Sequence, residues 1–109
     1  MPTRSRNVLA MADRKTLLTE DQIIEWLPGT PRWERNGATL HRELTFRDFT
    51  EAWGFLTMVA LVAEKLNHHP DWSNSWSKVV IDVTNHDAGG LTEIDFELAA
   101  AIDKALGEI

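Results

Sequence analysis

The chain has 109 residues, no cysteine and a formal charge of −6, of which the first fifteen residues carry a surplus of three positive charges and the remainder −9. That length predicts one domain with one modest core, and the missing cysteines exclude disulfides, thiolate nucleophiles and cysteine-ligated metals. An acidic body disfavours a phosphate backbone as partner, and no stretch approaches the roughly 20 apolar residues of a membrane span.

Residues 1–15 read as a flexible N-terminal extension: Met11-Ala12-Asp13-Arg14 offers a second plausible opening, and no apolar signal core precedes it. The domain is expected over 16–109, and a cytoplasmic location follows from the absence of targeting features. Thr19-Glu20-Asp21-Gln22 has capping-box spacing, and Ile23, Ile24 and Leu27 follow before Pro28-Gly29 ends a short first helix. Trp33 to Arg35 and Thr39 to Phe46 are predicted strands around Asn36-Gly37, a dipeptide suited to a two-residue hairpin turn. In the second strand Leu40, Leu44 and Phe46 share one face, while His41, Glu43 and Thr45 share a wet one.

A helix of five or six turns is predicted from about Arg47 to Asn67, with Phe49, Ala52, Trp53, Leu56, Val59, Ala60 and Ala63 at core spacing. Phe55, Met58, Leu61 and Val62 are apolar as well, so the hydrophobic arc exceeds what one sheet can cover and points to a second copy of the chain. Trp72 to Trp76 and Val79 to Asn85 read as two more strands, with Val79, Ile81 and Val83 on one face. After the Gly89-Gly90 loop a last helix starts at Thr92, places Ile94, Leu98, Ile102 and Leu106 on the core and stops at Gly107. The order α-β-β-α-β-β-α predicts an α+β domain: a four-stranded antiparallel sheet with three helices on one face.

Three of the four histidines, His68, His69 and His86, fall within nineteen residues. Their ordinary pKa, roughly 6.5, suits proton transfer near neutrality. His68 and His69 are placed at the end of the long helix, where the dipole favours the imidazolium, and Pro70 is expected to force His69 out of helical geometry. Glu64 lies one turn before His68 and could orient that imidazole or remain solvated. Asp95 sits where an acid supports the last helix's cap whatever else it does. Trp72 could cover a ligand or belong to the core, and His41 is expected on the solvent face of its strand.

Glu64, His68, His69, Pro70, Trp72, His86 and Asp95 together resemble the signature of the pterin-4a-carbinolamine dehydratases. Phe46-Arg47-Asp48-Phe49, Ala52-Trp53-Gly54-Phe55 and Gly90-Leu91-Thr92-Glu93 extend the likeness over about Leu18 to Leu106. The resemblance implies the same α+β architecture and loss of water from 4a-hydroxytetrahydrobiopterin, giving quinonoid dihydropterin for tetrahydrobiopterin recycling. It implies His68, His69 and His86 as acid, base and polarising groups, with roles unassigned among them. Glu64, Trp72, Asn85 and Asp95 become substrate-binding or orienting residues, and no metal or cofactor is called for. The loop Asp87-Ala88-Gly89-Gly90 departs from animal members, which carry a glutamate and a cysteine there. Those members also act as dimerisation cofactors of a homeodomain transcription factor, so a non-catalytic interaction module is the alternative, and a homodimer or homotetramer is expected in either case. A metal-dependent hydrolase built on His68, His69, His86 and Asp71 or Asp87 lacks any recognised ligand spacing.

Overall fold

A computed structural model describes residues 14–108; the expected extension lies outside the described residues except for Arg14 and Lys15. The chain runs through helix α1 (Glu20–Trp26), a 3-10 turn (Leu27–Gly29), β1 (Glu34–Asn36), β2 (Thr39–Thr45), α2 (Phe49–Leu66), β3 (Asp71–Ser75), β4 (Lys78–Val83) and α3 (Glu93–Ala105). The four strands form an antiparallel sheet in the order β1-β2-β4-β3.

Local chemistry sets each boundary. Thr19 Oγ1 accepts from the Gln22 amide at 3.2 Å and Gln22 Oε1 from the Thr19 amide at 2.9 Å, which satisfies both orphan donors at the start of α1. In the β1–β2 hairpin Asn36 pairs with Thr39, so the turn is centred on Gly37-Ala38, one residue later than predicted, with Gly37 at φ 59°. The positive dihedral belongs to the glycine, for which it has no steric cost, and Asn36 closes the ladder. Asp48 caps α2 by accepting from the Glu51 amide at 2.9 Å.

Leu40 lies opposite Val83 and Leu44 opposite Val79, and these residues with Ile81 make the sheet's contribution to the core. The row between them holds a residue that the hydrophobic pattern passed over: Arg42, opposite Ile81 and buried. Its guanidinium donates to Asp103 of α3 at 2.5 Å and to Glu108 at 2.9 Å, and the Trp33 indole donates to the same Asp103 oxygen at 2.8 Å. A cation is tolerated there because each charge is paired; removing one partner would leave the other buried and unpaired.

Helix α2 is rotated from the expected stripe. Ala52, Phe55, Leu56, Val59 and Ala63 are buried, while Phe49 and Trp53 are about half exposed and Ala60 faces water. The helix packs on the sheet and against α3 at once, which moves its buried arc toward Phe55, whose ring lies 5.1 Å from Phe46. The surplus apolar face consists of Phe49, Trp53, Met58 and Leu61, the last 68% exposed.

On the open face of the sheet His41 is not a freely solvated residue. Its Nδ1 lies 2.7 Å from Asp82 and its Nε2 3.0 Å from Glu43, so both ring nitrogens meet carboxylates. Hydrogen bonds to Glu43 and then Asp82 raise its pKa above the ordinary value. The stabilisation is therefore complete below the unfolded histidine's pKa of roughly 6.5 and disappears as pH rises through the higher folded value. His41→Gln should lower stability most near pH 5.5, by no more than about 1 kcal/mol at this partly exposed site. Urea unfolding of both proteins should show the difference shrinking by pH 9; a difference independent of pH would contradict the clamp.

Candidate active site

The long helix stops one residue before the histidine pair. Asn67 adopts φ 54°, ψ 42°, and its amide donates back to Ala63 and Glu64, while the His68 amide reaches the Ala63 carbonyl at 3.1 Å. Asparagine tolerates this left-handed position, and the turn closes the helix's free carbonyls. His69 lies outside helical geometry as expected, but Asn67 makes the turn, so both histidines follow the long helix instead of ending it, and Pro70 leads into β3.

His68 is directed inward by that turn. Its side chain is 12% exposed, and Nε2 lies 2.5 Å from Oδ1 of the fully buried Asp95. The other oxygen of Asp95 accepts from the Thr92 amide at 2.7 Å and the Thr92 hydroxyl at 2.9 Å. One carboxylate therefore caps α3 and anchors an imidazole from the end of α2. The cap and the imidazole contact coexist because the two oxygens of Asp95 face different partners. With Asp95 as the acceptor, Nε2 is the donating nitrogen and Nδ1 is left as the ring's other polar atom.

Glu64 is paired differently from expectation. It lies 2.9 Å from Nε2 of His69 and not beside His68, because the left-handed turn breaks the helical i, i+4 relation. His69 remains 59% exposed. His86, beyond β4, is 78% exposed and makes a long contact of 3.4 Å to Asp71.

His68, His69 and His86 nevertheless border one cleft of about 400 Å³, together with Asn85 and with Lys15, Asn67, Thr84, Asp87 and Ala88. A volume of this size accommodates a bicyclic heterocycle. Asn85 is nearly buried, and its side-chain oxygen accepts from the Ala88 amide at 3.1 Å while its backbone pairs with Gly90, which fixes the loop carrying His86. Glu64 and Trp72 lie outside this cleft; with His69, Pro70 and Asp71 they line an adjacent hollow of about 420 Å³, so His69 forms the wall between the two. Trp72 is 41% exposed and belongs to that hollow and not to the core. Among the described residues, no group of three or more His, Asp or Glu is arranged to hold a metal ion.

Sequence reasoning missed Lys15 and Asn67. An asparagine directly after the last apolar position of a helix is a recognisable C-terminal signal; nothing in the local sequence marks Lys15.

The family model for pterin 4 alpha carbinolamine dehydratase matches residues 16–105. A protein of Prochlorococcus marinus strain NATL2A named for that dehydratase is 43% identical over 91 residues, covering 84% of this chain and 96% of its own. One of Solibacter usitatus with the same name is 48% identical over 81% of this chain and 93% of its own. A crystal structure of a transcriptional coactivator/pterin dehydratase from Brucella melitensis superposes with a TM-score of 0.76 at 34% identity, covering 81% of this chain and 96% of that one. A pterin dehydratase-like RuBisCO assembly factor of the alpha-carboxysome, at 22% identity and a TM-score of 0.59 over 72% of this chain and 90% of that one, shares the fold.

Replacing Asp95 by alanine removes a buried acceptor from three donors and leaves the Thr92 amide and hydroxyl unpaired. The expected loss is about 1–3 kcal/mol of unfolding free energy. Chemical denaturation checks this, and a loss within error of zero would contradict the dual role of the carboxylate.

Proposed function

Because the chain belongs to the pterin 4 alpha carbinolamine dehydratase family, we propose that it removes water from a 4a-hydroxytetrahydropterin, in the sense of tetrahydrobiopterin recycling. The observation that supports this reading most is the His68–Asp95 pair at the wall of a cleft shared with His69 and His86.

The reaction needs an acid and a base. Hydroxide leaves poorly, so the 4a-hydroxyl is protonated and departs as water while the N5 lone pair forms the C4a=N5 bond. The resulting iminium then loses a ring proton, giving the quinonoid dihydropterin. No electrons are exchanged with a partner, and protons are returned to water. His68 is the best-placed group to hold a fixed orientation: Asp95 holds its Nε2–H and stabilises positive charge on the ring as Nδ1 takes up a proton. His69, held by Glu64, and His86, on the Asn85 loop, are exposed enough to exchange protons with solvent. Asn85 orients that loop, and Trp72 offers an aromatic surface on the far side of His69.

Single substitutions of His68, His69 or His86 by alanine should each lower kcat/KM by about 10- to 10³-fold, the range of one acid–base group. The measurement is quinonoid dihydropterin appearance from enzymatically generated substrate, read against the uncatalysed rate. Treatment with a chelator should leave that rate unchanged, since imidazole proton transfer needs no Lewis acid. Wild-type protein that does not exceed the background would remove the catalytic reading and favour an interaction module.

The outer face of α2 supports a proposal of self-association. Phe49 and Trp53 stack with ring centroids 6.1 Å apart, and Met58 and Leu61 continue the patch along the helix. Burying such surface gains roughly 25 cal/mol per Å². Light scattering at micromolar concentration should report a dimer or tetramer, and Leu61→Glu should shift it toward monomer; a monomeric wild type would contradict this.

A further inference from the structure

Lys15 enters the histidine cleft from a part of the chain remote from every motif residue. Residues 14–18 lie as a strap across the start of α3. The Ile94 amide donates to the Arg14 carbonyl at 3.0 Å, the Leu18 amide donates to the Leu91 carbonyl at 2.9 Å, and Leu17 pairs with Thr92 between them. The strap also rides on the loop that carries His86. A Cβ added at Gly90 would come within 2.8 Å of the end of the Leu17 side chain, so the strap and the loop are in close contact there. Lys15 is thereby fixed at both flanks, and its side chain borders the cleft with His68, His69 and His86.

The two neighbouring cations are used differently. Arg14 is paired with Glu97 of α3, whereas among the described residues Lys15 has no carboxylate within ion-pairing distance. The other charged side chain bordering the cleft apart from the histidines is Asp87, on the loop after His86. A neutral bicyclic ring offers an exposed ammonium only hydrogen-bond acceptors, whereas an acidic substituent on that ring offers it an opposite charge.

We infer that Lys15 is a specificity-determining residue that selects pterins whose ring substituent ends in a carboxylate or phosphate over those with a neutral substituent. The inference rests on the dehydratase reading above, since it takes the histidine cleft as the seat of the pterin ring. A lysine on a backbone-anchored strap is suited to this because it reaches from the rim as a compact point charge while its stem stays clear of the ring.

The test uses full-length protein and three stable pterins that differ only at position 6: hydroxymethyl, carboxylate and hydroxymethyl phosphate. Affinities are read by pterin fluorescence at low salt for the wild type, Lys15→Met, Lys15→Arg and the distant surface control Lys104→Met. Wild-type protein should prefer at least one anionic form over the neutral one. Lys15→Met should reduce that preference by about two- to fivefold, the range for an exposed charge pair, with Lys15→Arg keeping most of it. The preference should also fall as salt is added. A preference for only one of the two anions supports the inference and names the group. Equal affinity for all three, or a preference that survives in Lys15→Met, overturns it and leaves the dehydratase reading intact. If the wild type binds none of the three, the dehydratase reading fails first and this inference with it.

Discussion

Asp95 has no solvent contact and accepts from three donors drawn from two separate parts of the chain. A buried carboxylate is costly unless each oxygen is satisfied, so its presence couples the start of α3 to the end of α2. Neither partner can move without exposing the other to an unpaired charge. That coupling fixes His68, and His68 fixes one wall of the cleft. The remaining catalytic candidates are held more loosely, by single contacts at the surface. The site thus combines one buried, anchored imidazole with two exposed ones, a division suited to a reaction in which one group must be aligned while others trade protons with water.

Two further devices surround this arrangement. The left-handed turn at Asn67 separates His68 from His69, sending one inward and leaving the other on the rim. The Asn85 side chain and the close packing of Leu17 on Gly90 hold the His86 loop from both sides. At the other end of α3, Arg42, Asp103, Trp33 and Glu108 form a second polar network that ties β2 to that helix. Helix α3 is therefore anchored by a paired carboxylate near each end, and its position against α2 follows.

Much of this was legible in the sequence. The element order, the α1 capping box and the strand faces follow from periodicities of two and 3.6, which backbone geometry imposes directly. The gathering of His68, His69 and His86 at one cleft followed from the motif resemblance. What remained hidden was pairing across long sequence separations. Nothing near Arg42 in the sequence marks its partner Asp103, 61 residues later. Helical spacing points Glu64 toward His68 or solvent, yet the local turn gives it His69. His41 looked like an ordinary surface residue because Asp82 reaches it only through the β2–β4 register. Trp53 and Phe55 exchanged their expected environments because α2 leans on a helix as well as on the sheet, and one-dimensional periodicity carries no information about the second neighbour.

The most direct test of the account is a heteronuclear NMR titration of nitrogen-15-labelled protein with a non-reactive dihydropterin, reading the imidazole nitrogens of all four histidines. His68 Nε2 should carry its proton with and without ligand, held by Asp95. Its Nδ1 and the rings of His69 and His86 should shift on binding, while His41 on the open sheet face should not. Shifts centred on His41, or a bound ligand that leaves His68 unchanged, would contradict the assignment of this cleft as the place where the pterin loses water.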